Sequence, residues 1–196
     1  VYEGIELVRK EKIDFILAVG GGSSIDSTKA IALGTCYEGD FWDFFCGKAV
    51  PQAVLPFGCV LTMSAAGSES SNSCVIMQKE TLIKRGLSTE LNRSVISFMN
   101  PELAMTLPSY QIACGATDIL AHIMERYFTN TKDVDLTDRL AEALLVSIKE
   151  AARIAIKTVE TLQDEKICRT FCRRRTPLFN RFLFLARLRQ NIAFND

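Results

Sequence analysis

At 196 residues the chain is long enough for one large or two modest domains with a real core. Its 23 basic and 23 acidic residues cancel, so the charge of the whole gives no reason to expect nucleic acid or an anionic membrane as a partner. No apolar run has the length of a membrane span, and seven cysteines without a CxxC motif point to reduced thiols in the cytoplasm.

Residues 2–12 form an amphipathic helix, with Ile5 and Val8 on one side and charges on the other. Because Val1 opens directly into this pattern, the chain is expected to be a fragment of a longer protein. Residues 13–19 are a short apolar run ending at glycines, as expected for a buried parallel strand. Gly20, Gly21, Gly22 and Ser23 follow, then a helix running to about Leu33 that carries Asp26 and Lys29. Glycines at a strand-to-helix turn let a backbone approach a pyrophosphate closely. The free amides and dipole of the helix start favour an anion there. The spacing is neither G-x-G-x-x-G nor that of a Walker loop, and an ordinary turn usually needs one glycine rather than three.

The aromatic cluster at 40–45 is expected to pack and close the domain edge. Residues 57–62 are a second buried strand, leading into a loop of Ser, Ala and Gly at 63–72 that is too poor in apolar side chains to be core. Such a loop at the carboxyl end of a parallel strand suits close contact with a ligand, although a surface turn has the same composition. Residues 75–77 and 94–98 are further short strands, with Lys79, Lys84 and Arg85 on a hairpin between them. Pro108 and Ser109 mark a boundary beyond which everything is helical.

Residues 113–127 form one helix. With Ile112 as the zero of a helical wheel at about 100° per residue, Ala116, Ile119, Ile123 and Tyr127 fall on the core-facing stripe. Asp118 and His122 lie about one turn apart on another face, beside Gly115, whose missing side chain leaves room for an ion or a small substrate. A carboxylate and an imidazole at this spacing can be a solvated pair or two metal ligands, and two are too few, because a transition metal wants four or more. The helix ends near residues 129–130. Thr137 caps another, running to about Leu162, with Leu140, Leu144, Ala151, Ala155 and Leu162 facing inward. Two helices cannot bury both apolar faces by themselves, so more of a helical domain is expected.

Three motifs occur in order: Gly20-Gly21-Gly22-Ser23 with Asp26 and Lys29; the 62–72 loop containing Gly67-Ser68-Glu69; and Asp118 with His122 and Glu125. Together they resemble the iron-containing (group III) alcohol dehydrogenases, especially the NADPH-dependent butanol dehydrogenases and aldehyde reductases, over residues 1–165. The resemblance implies part of an α/β nucleotide-binding domain at 1–108, the start of an all-helical metal-binding domain at 109–165, and a cleft between them. This is the dehydroquinate synthase-like architecture. It implies a homo-oligomeric full-length enzyme that transfers a hydride between NAD(P)(H), with NADPH favoured, and a small alcohol or aldehyde. A divalent metal, Fe2+ or Zn2+, would polarise the substrate oxygen. Gly20, Gly21, Gly22, Ser23 and Asp26 would bind the cofactor, the first four holding its pyrophosphate. Thr62 and Lys84 match cofactor-contacting positions, and Asp118 and His122 the first two metal ligands. Ala66 stands where many members have threonine.

The departures are equally specific. The family draws two further histidines from its later helices, whereas His122 is the single histidine of this sequence. After about Gln163 the resemblance stops. Residues 166–196 carry eight Lys or Arg against one acid, and read as a frame-shifted or mis-spliced end; a basic amphipathic partner helix is the functional alternative. The expectation is therefore a fragment of a dehydrogenase with weak or absent activity. A non-catalytic nucleotide-binding or oligomerisation piece is the competing reading. Glycerol dehydrogenase or dehydroquinate synthase chemistry fits the 67–69 loop less well.

Overall fold

The computed structural model describes residues 1–162; the basic segment 166–196, with Cys168 and Cys172, lies outside the described residues. The chain forms two compact units. One comprises Val1–Leu61 and Ser68–Phe98; the other comprises Thr62–Gly67 and the described residues from Met99 onward. Residues Thr62–Gly67, which in sequence belong with the strands, thus group with the helices.

In the first unit, α1 (Tyr2–Lys10) leads to β1 (Ile16–Gly20), α2 (Gly22–Thr35), α3 (Trp42–Phe45) and β2 (Phe57–Leu61). A hairpin, β3 (Ser73–Met77) with β4 (Lys84–Ser88), precedes β5 (Ile96–Phe98). Strands β1, β2 and β5 form a parallel sheet in that order, with Gly20 opposite Leu61 at its carboxyl end. Helix α2 supplies Ala30 and Leu33 to a core completed by Ile5, Phe41, Phe44, Phe45 and Cys74. The aromatic cluster packs as expected: Trp42 stacks on Phe45 with ring centroids 5.3 Å apart, and Tyr2 meets Phe41 edge-on at 4.8 Å.

The first strand corrects the sequence reading. It starts at Ile16 rather than Ile13, lies at a sheet edge, and is buried on one face only. Ala18 faces the core, but Leu17 and Val19 are 51% and 62% exposed. Register places Leu17 beside Gly58 and Ile96, and Val19 beside Val60 and Phe98, so these apolar residues share the open face. A continuous apolar run signals cover on both faces of a parallel sheet, yet the described residues cover one.

In the second unit, α4 (Pro101–Ala104) is capped by the Asn100 side chain, and α5 (Ser109–Tyr127) pairs with α6 (Asp135–Leu162). The wheel is borne out. Ala116, Ile119 and Ile123 are buried with Ala141, Leu144, Ile148, Ala151 and Ala152, and Tyr127 packs against them. A fully buried Ile contributes about 1.5–3 kcal/mol, so Ile119 and Ile148, both without solvent exposure, anchor the pair. Ala155 is buried with Ala104 and Ile112. Two details differ. Helix α6 begins at Asp135, two residues before Thr137, and its inward stripe runs through Ala141 rather than Leu140, which is 42% exposed. The side chain of Leu162 lies outside the described residues. No described helix is long and apolar enough to cross a membrane.

The five described cysteines are free thiols. Burial, reinforced by the Asp26 carboxylate, pushes the Cys74 thiol up to about 12. In the native protein iodoacetamide is expected to modify exposed Cys36 rapidly, while Cys59 and Cys74 react only after denaturant is added. Mass spectrometry of the labelled peptides checks this, and native labelling of Cys74 would contradict the packing of β3 on α2.

Candidate functional site

The triple glycine does not serve backbone flexibility. The positive-φ glycines among the described residues are Gly47 and Gly67, and none of Gly20, Gly21 and Gly22. What the turn provides is space. A Cβ on Gly20 would lie 2.4 Å from the Ser24 hydroxyl, so glycine lets Ser24 fold back over the strand end. A Cβ on Gly22 would meet nothing within 4 Å, which leaves an open approach over the helix start. Gly21 is the N-cap residue in extended conformation and makes no side-chain cap, and the first turn carries no acidic residue. Helix α2 therefore begins at Gly22 and Ser23 with amide donors, the positive end of the dipole and no competing carboxylate. These features fit a bound phosphate or pyrophosphate.

One and two turns further on, Asp26 and Lys29 have partners within the protein. Asp26 accepts a hydrogen bond from the Ser68 hydroxyl through Oδ1 and from the Val75 amide, at 3.1 Å, through Oδ2. The Lys29 side chain is 0% exposed, and its ammonium donates to the carbonyls of Ser68, Ser71 and Ser73 at 2.8, 3.0 and 2.7 Å. Burial lowers the pKa of Lys29, and the Asp26 carboxylate, with Oδ1 3.9 Å away, is the largest opposing influence. The burial of Lys29 was not anticipated from sequence. The available signal was a cation placed among Ile25, Ala30, Ala32 and Leu33, all of which are buried.

Thr62 directly follows β2 and is half-buried. Lys84 is exposed at the start of β4, opposite Met77, so it is a strand residue rather than part of the hairpin turn. In the second unit, the Ser64 carbonyl oxygen lies 2.4 Å from where a Cβ on Gly115 would stand. The room expected beside Gly115 is thus filled by backbone, and what the glycine allows is the seating of the Thr62–Gly67 loop on α5. The Ser64 hydroxyl is buried without a hydrogen-bond partner in the described structure.

Asp118 and His122 do come together on α5. His122 Nε2 lies 3.7 Å from Asp118 Oδ1, and Nδ1 lies 3.7 Å from Glu125 Oε2, all three side chains being partly or largely exposed. Among the described residues no group of three or more His, Cys, Asp or Glu side chains converges on one point that could hold a metal ion.

The family model for iron-containing alcohol dehydrogenase matches residues 1–101. This chain belongs to the iron-containing alcohol dehydrogenase family. It is 41% identical over 163 residues to the probable NADH-dependent butanol dehydrogenase 2 of Bacillus subtilis, covering 83% of this chain and 42% of that protein. It is 39% identical over 160 residues to the NADPH-dependent aldehyde reductase YqhD of Escherichia coli, covering 80% and 41% respectively. Its fold is similar to the crystal structure of NADH-dependent butanol dehydrogenase A from Thermotoga maritima. That similarity has a TM-score of 0.85 at 33% identity and covers 97% of this chain and 44% of the other. The chain thus spans less than half the length of the curated relatives it matches.

Against the needs of the family, the two half-sites differ. The helix start fits the phosphates of a dinucleotide. The metal donors do not complete a cation site: one carboxylate and one imidazole on a single helix leave a tetrahedral or octahedral ion short of ligands, and the sequence holds no second histidine.

Gly115→Ala places a methyl group against a backbone oxygen that has no rotamer to escape into. The substitution is expected to cost about 1–3 kcal/mol by overpacking, read as a lowered Tm, whereas Gly22→Ala should leave the stability within about 0.5 kcal/mol of the parent.

Proposed function

We propose that this chain carries the dinucleotide-binding part of a metal-dependent alcohol dehydrogenase or aldehyde reductase. In the whole protein a hydride would pass between NAD(P)(H) and a small alcohol or aldehyde. The observation that carries the reading is the uncapped, unobstructed start of α2, in a chain whose relatives are named as NADH- or NADPH-dependent enzymes. Gly20, Gly21, Gly22 and Ser23 receive the pyrophosphate through backbone amides. Thr62 and Lys84 contact the nucleotide through their side chains, and Asp26 holds the neighbouring loop in place. Residues 1–108 supply the nucleotide-binding role, and 109–165 begin the metal-binding helical part with Asp118 and His122.

The preference for NADPH draws support from the aldehyde reductase of E. coli, while the butanol dehydrogenases favour NADH, so the assays use both. Cytoplasmic placement is supported by the free thiols of the described cysteines. Homo-oligomerisation of the whole protein rests on the family resemblance. A non-catalytic nucleotide-binding piece is the second reading, favoured by the single histidine.

On this reading the purified chain, supplied with Fe(II) or Zn(II), butanal and NADPH or NADH, shows little or no butanal-dependent loss of reduced cofactor. In equilibrium dialysis it nevertheless binds the dinucleotide. Robust turnover would contradict the view that the missing donors matter, and absence of any dinucleotide binding would remove the nucleotide assignment. Weak Zn(II) binding that disappears in His122→Ala separates the dehydrogenase fragment from the non-catalytic reading.

A further inference from the structure

Lys29 heads the fully buried side chains by size, yet a buried ammonium is an expensive way to fill a core. A methionine or leucine would fill the volume without the desolvation penalty. What the ammonium does that an apolar side chain cannot is gather three carbonyls, those of Ser68, Ser71 and Ser73, onto one point. All three of its N–H donors are then used, the condition under which a buried charge is tolerated. Asp26 works in parallel from the same helix. It takes the Ser68 hydroxyl and the Val75 amide, and its own backbone carbonyl accepts from the Cys74 thiol at 3.2 Å. The segment so held consists of a 3-10 turn at Ser68–Ser70 and the first residues of β3, which pair with β4. On one side it is held by residues 92–97, where Asn92 and Arg93 donate to the carbonyls of Asn72 and Ser70 and the Ser94 and Ser97 hydroxyls to that of Glu69; on the other side its attachment depends on helix α2.

We propose that Lys29 and Asp26 are positioning residues for dinucleotide binding: they fasten residues 68–75 to the helix whose first turn receives the pyrophosphate, so that turn and segment form one preorganised unit. This inference rests on the nucleotide reading given above. Lys29 is sealed from solvent and both carboxylate oxygens of Asp26 are engaged within the protein, so, unlike the sequence expectation for Asp26, neither is assigned a ligand contact. Their contribution is to remove the ordering cost that a loose segment would impose on each binding event.

The test uses the full chain, with NADH and NADPH as probes, in parent, Lys29→Met, Lys29→Arg and Ser68→Ala forms. Amide hydrogen exchange reads the clamp without any ligand, and fluorescence titration reads affinity. In Lys29→Met, exchange in the 68–75 peptide is expected to accelerate at least about tenfold while α1 keeps its protection, and the dinucleotide Kd rises roughly tenfold. Ser68→Ala, which removes one hydroxyl from the Asp26 arm, shows the same pair of changes at about two- to fivefold and covers the case in which Lys29→Met does not fold. Lys29→Arg, whose planar fork cannot reproduce the three-carbonyl geometry, stays impaired. Faster exchange in 68–75 with unchanged affinity overturns the proposal. So does loss of protection throughout α1, α2 and 68–75 together, with affinity following only the folded fraction. If the parent chain binds neither dinucleotide, the nucleotide reading fails and this inference with it, whatever the exchange shows.

Discussion

A single buried ammonium ties together the helix that starts at the Gly20–Gly22 turn and the residues leading into β3. Lys29 is sealed from solvent and satisfied by three backbone oxygens, which tie residues 68–73 to helix α2. Remove the charge and three carbonyls lose their shared donor in a dry environment, where an unpaired polar group is most costly. The pair with Asp26 is better understood as a device for specifying one conformation than as a source of net stability, since the desolvation of buried ions consumes most of what their attraction returns.

The two chemical sites suggested by the sequence are built on different principles, and they differ in how much of each a short stretch of chain can supply. An anion site at a helix start is made of backbone. A glycine turn, a few free amides and a dipole lie within one short stretch, so a fragment that keeps the strand and helix keeps the site. A transition-metal site is made of side chains from several elements. Asp118 and His122 can be brought within 3.7 Å by a single helix, but further ligands must come from elsewhere in a fold, and the chain offers no second imidazole.

The packing has the same local character. The cores that form draw mostly on neighbours in sequence: α1, α2 and the aromatic cluster, joined by Cys74 of β3, in one unit, and the antiparallel α5–α6 pair in the other. The surfaces left open are a face of the parallel sheet bearing Leu17, Val19, Ile96 and Phe98, and the outer side of α6 with Leu136 and Val146. Contiguous exposed apolar residues of this kind are unusual for a parallel sheet, which is ordinarily covered on both faces. The chain's relatives are about twice its length.

The amino-acid sequence by itself determined what depends on short-range pattern. The apolar runs and glycines announced the strand-turn-helix unit at Gly20–Gly22, the 3.6-residue period placed Ala116, Ile119 and Ile123 inward, and the i,i+4 spacing paired Asp118 with His122. These follow from local geometry, which hydrophobic periodicity reports directly. Tertiary structure decided the rest. Only the packed molecule shows that Gly115 accommodates the carbonyl of Ser64 rather than a ligand, and that the inward stripe of α6 passes Leu140 by. It alone shows that the strand at Ile16 is covered on one side by the described residues, and that Lys29 is the most deeply buried charge among them. Each of these depends on residues distant in sequence meeting in space, and a single chain's pattern carries no record of which partner arrives.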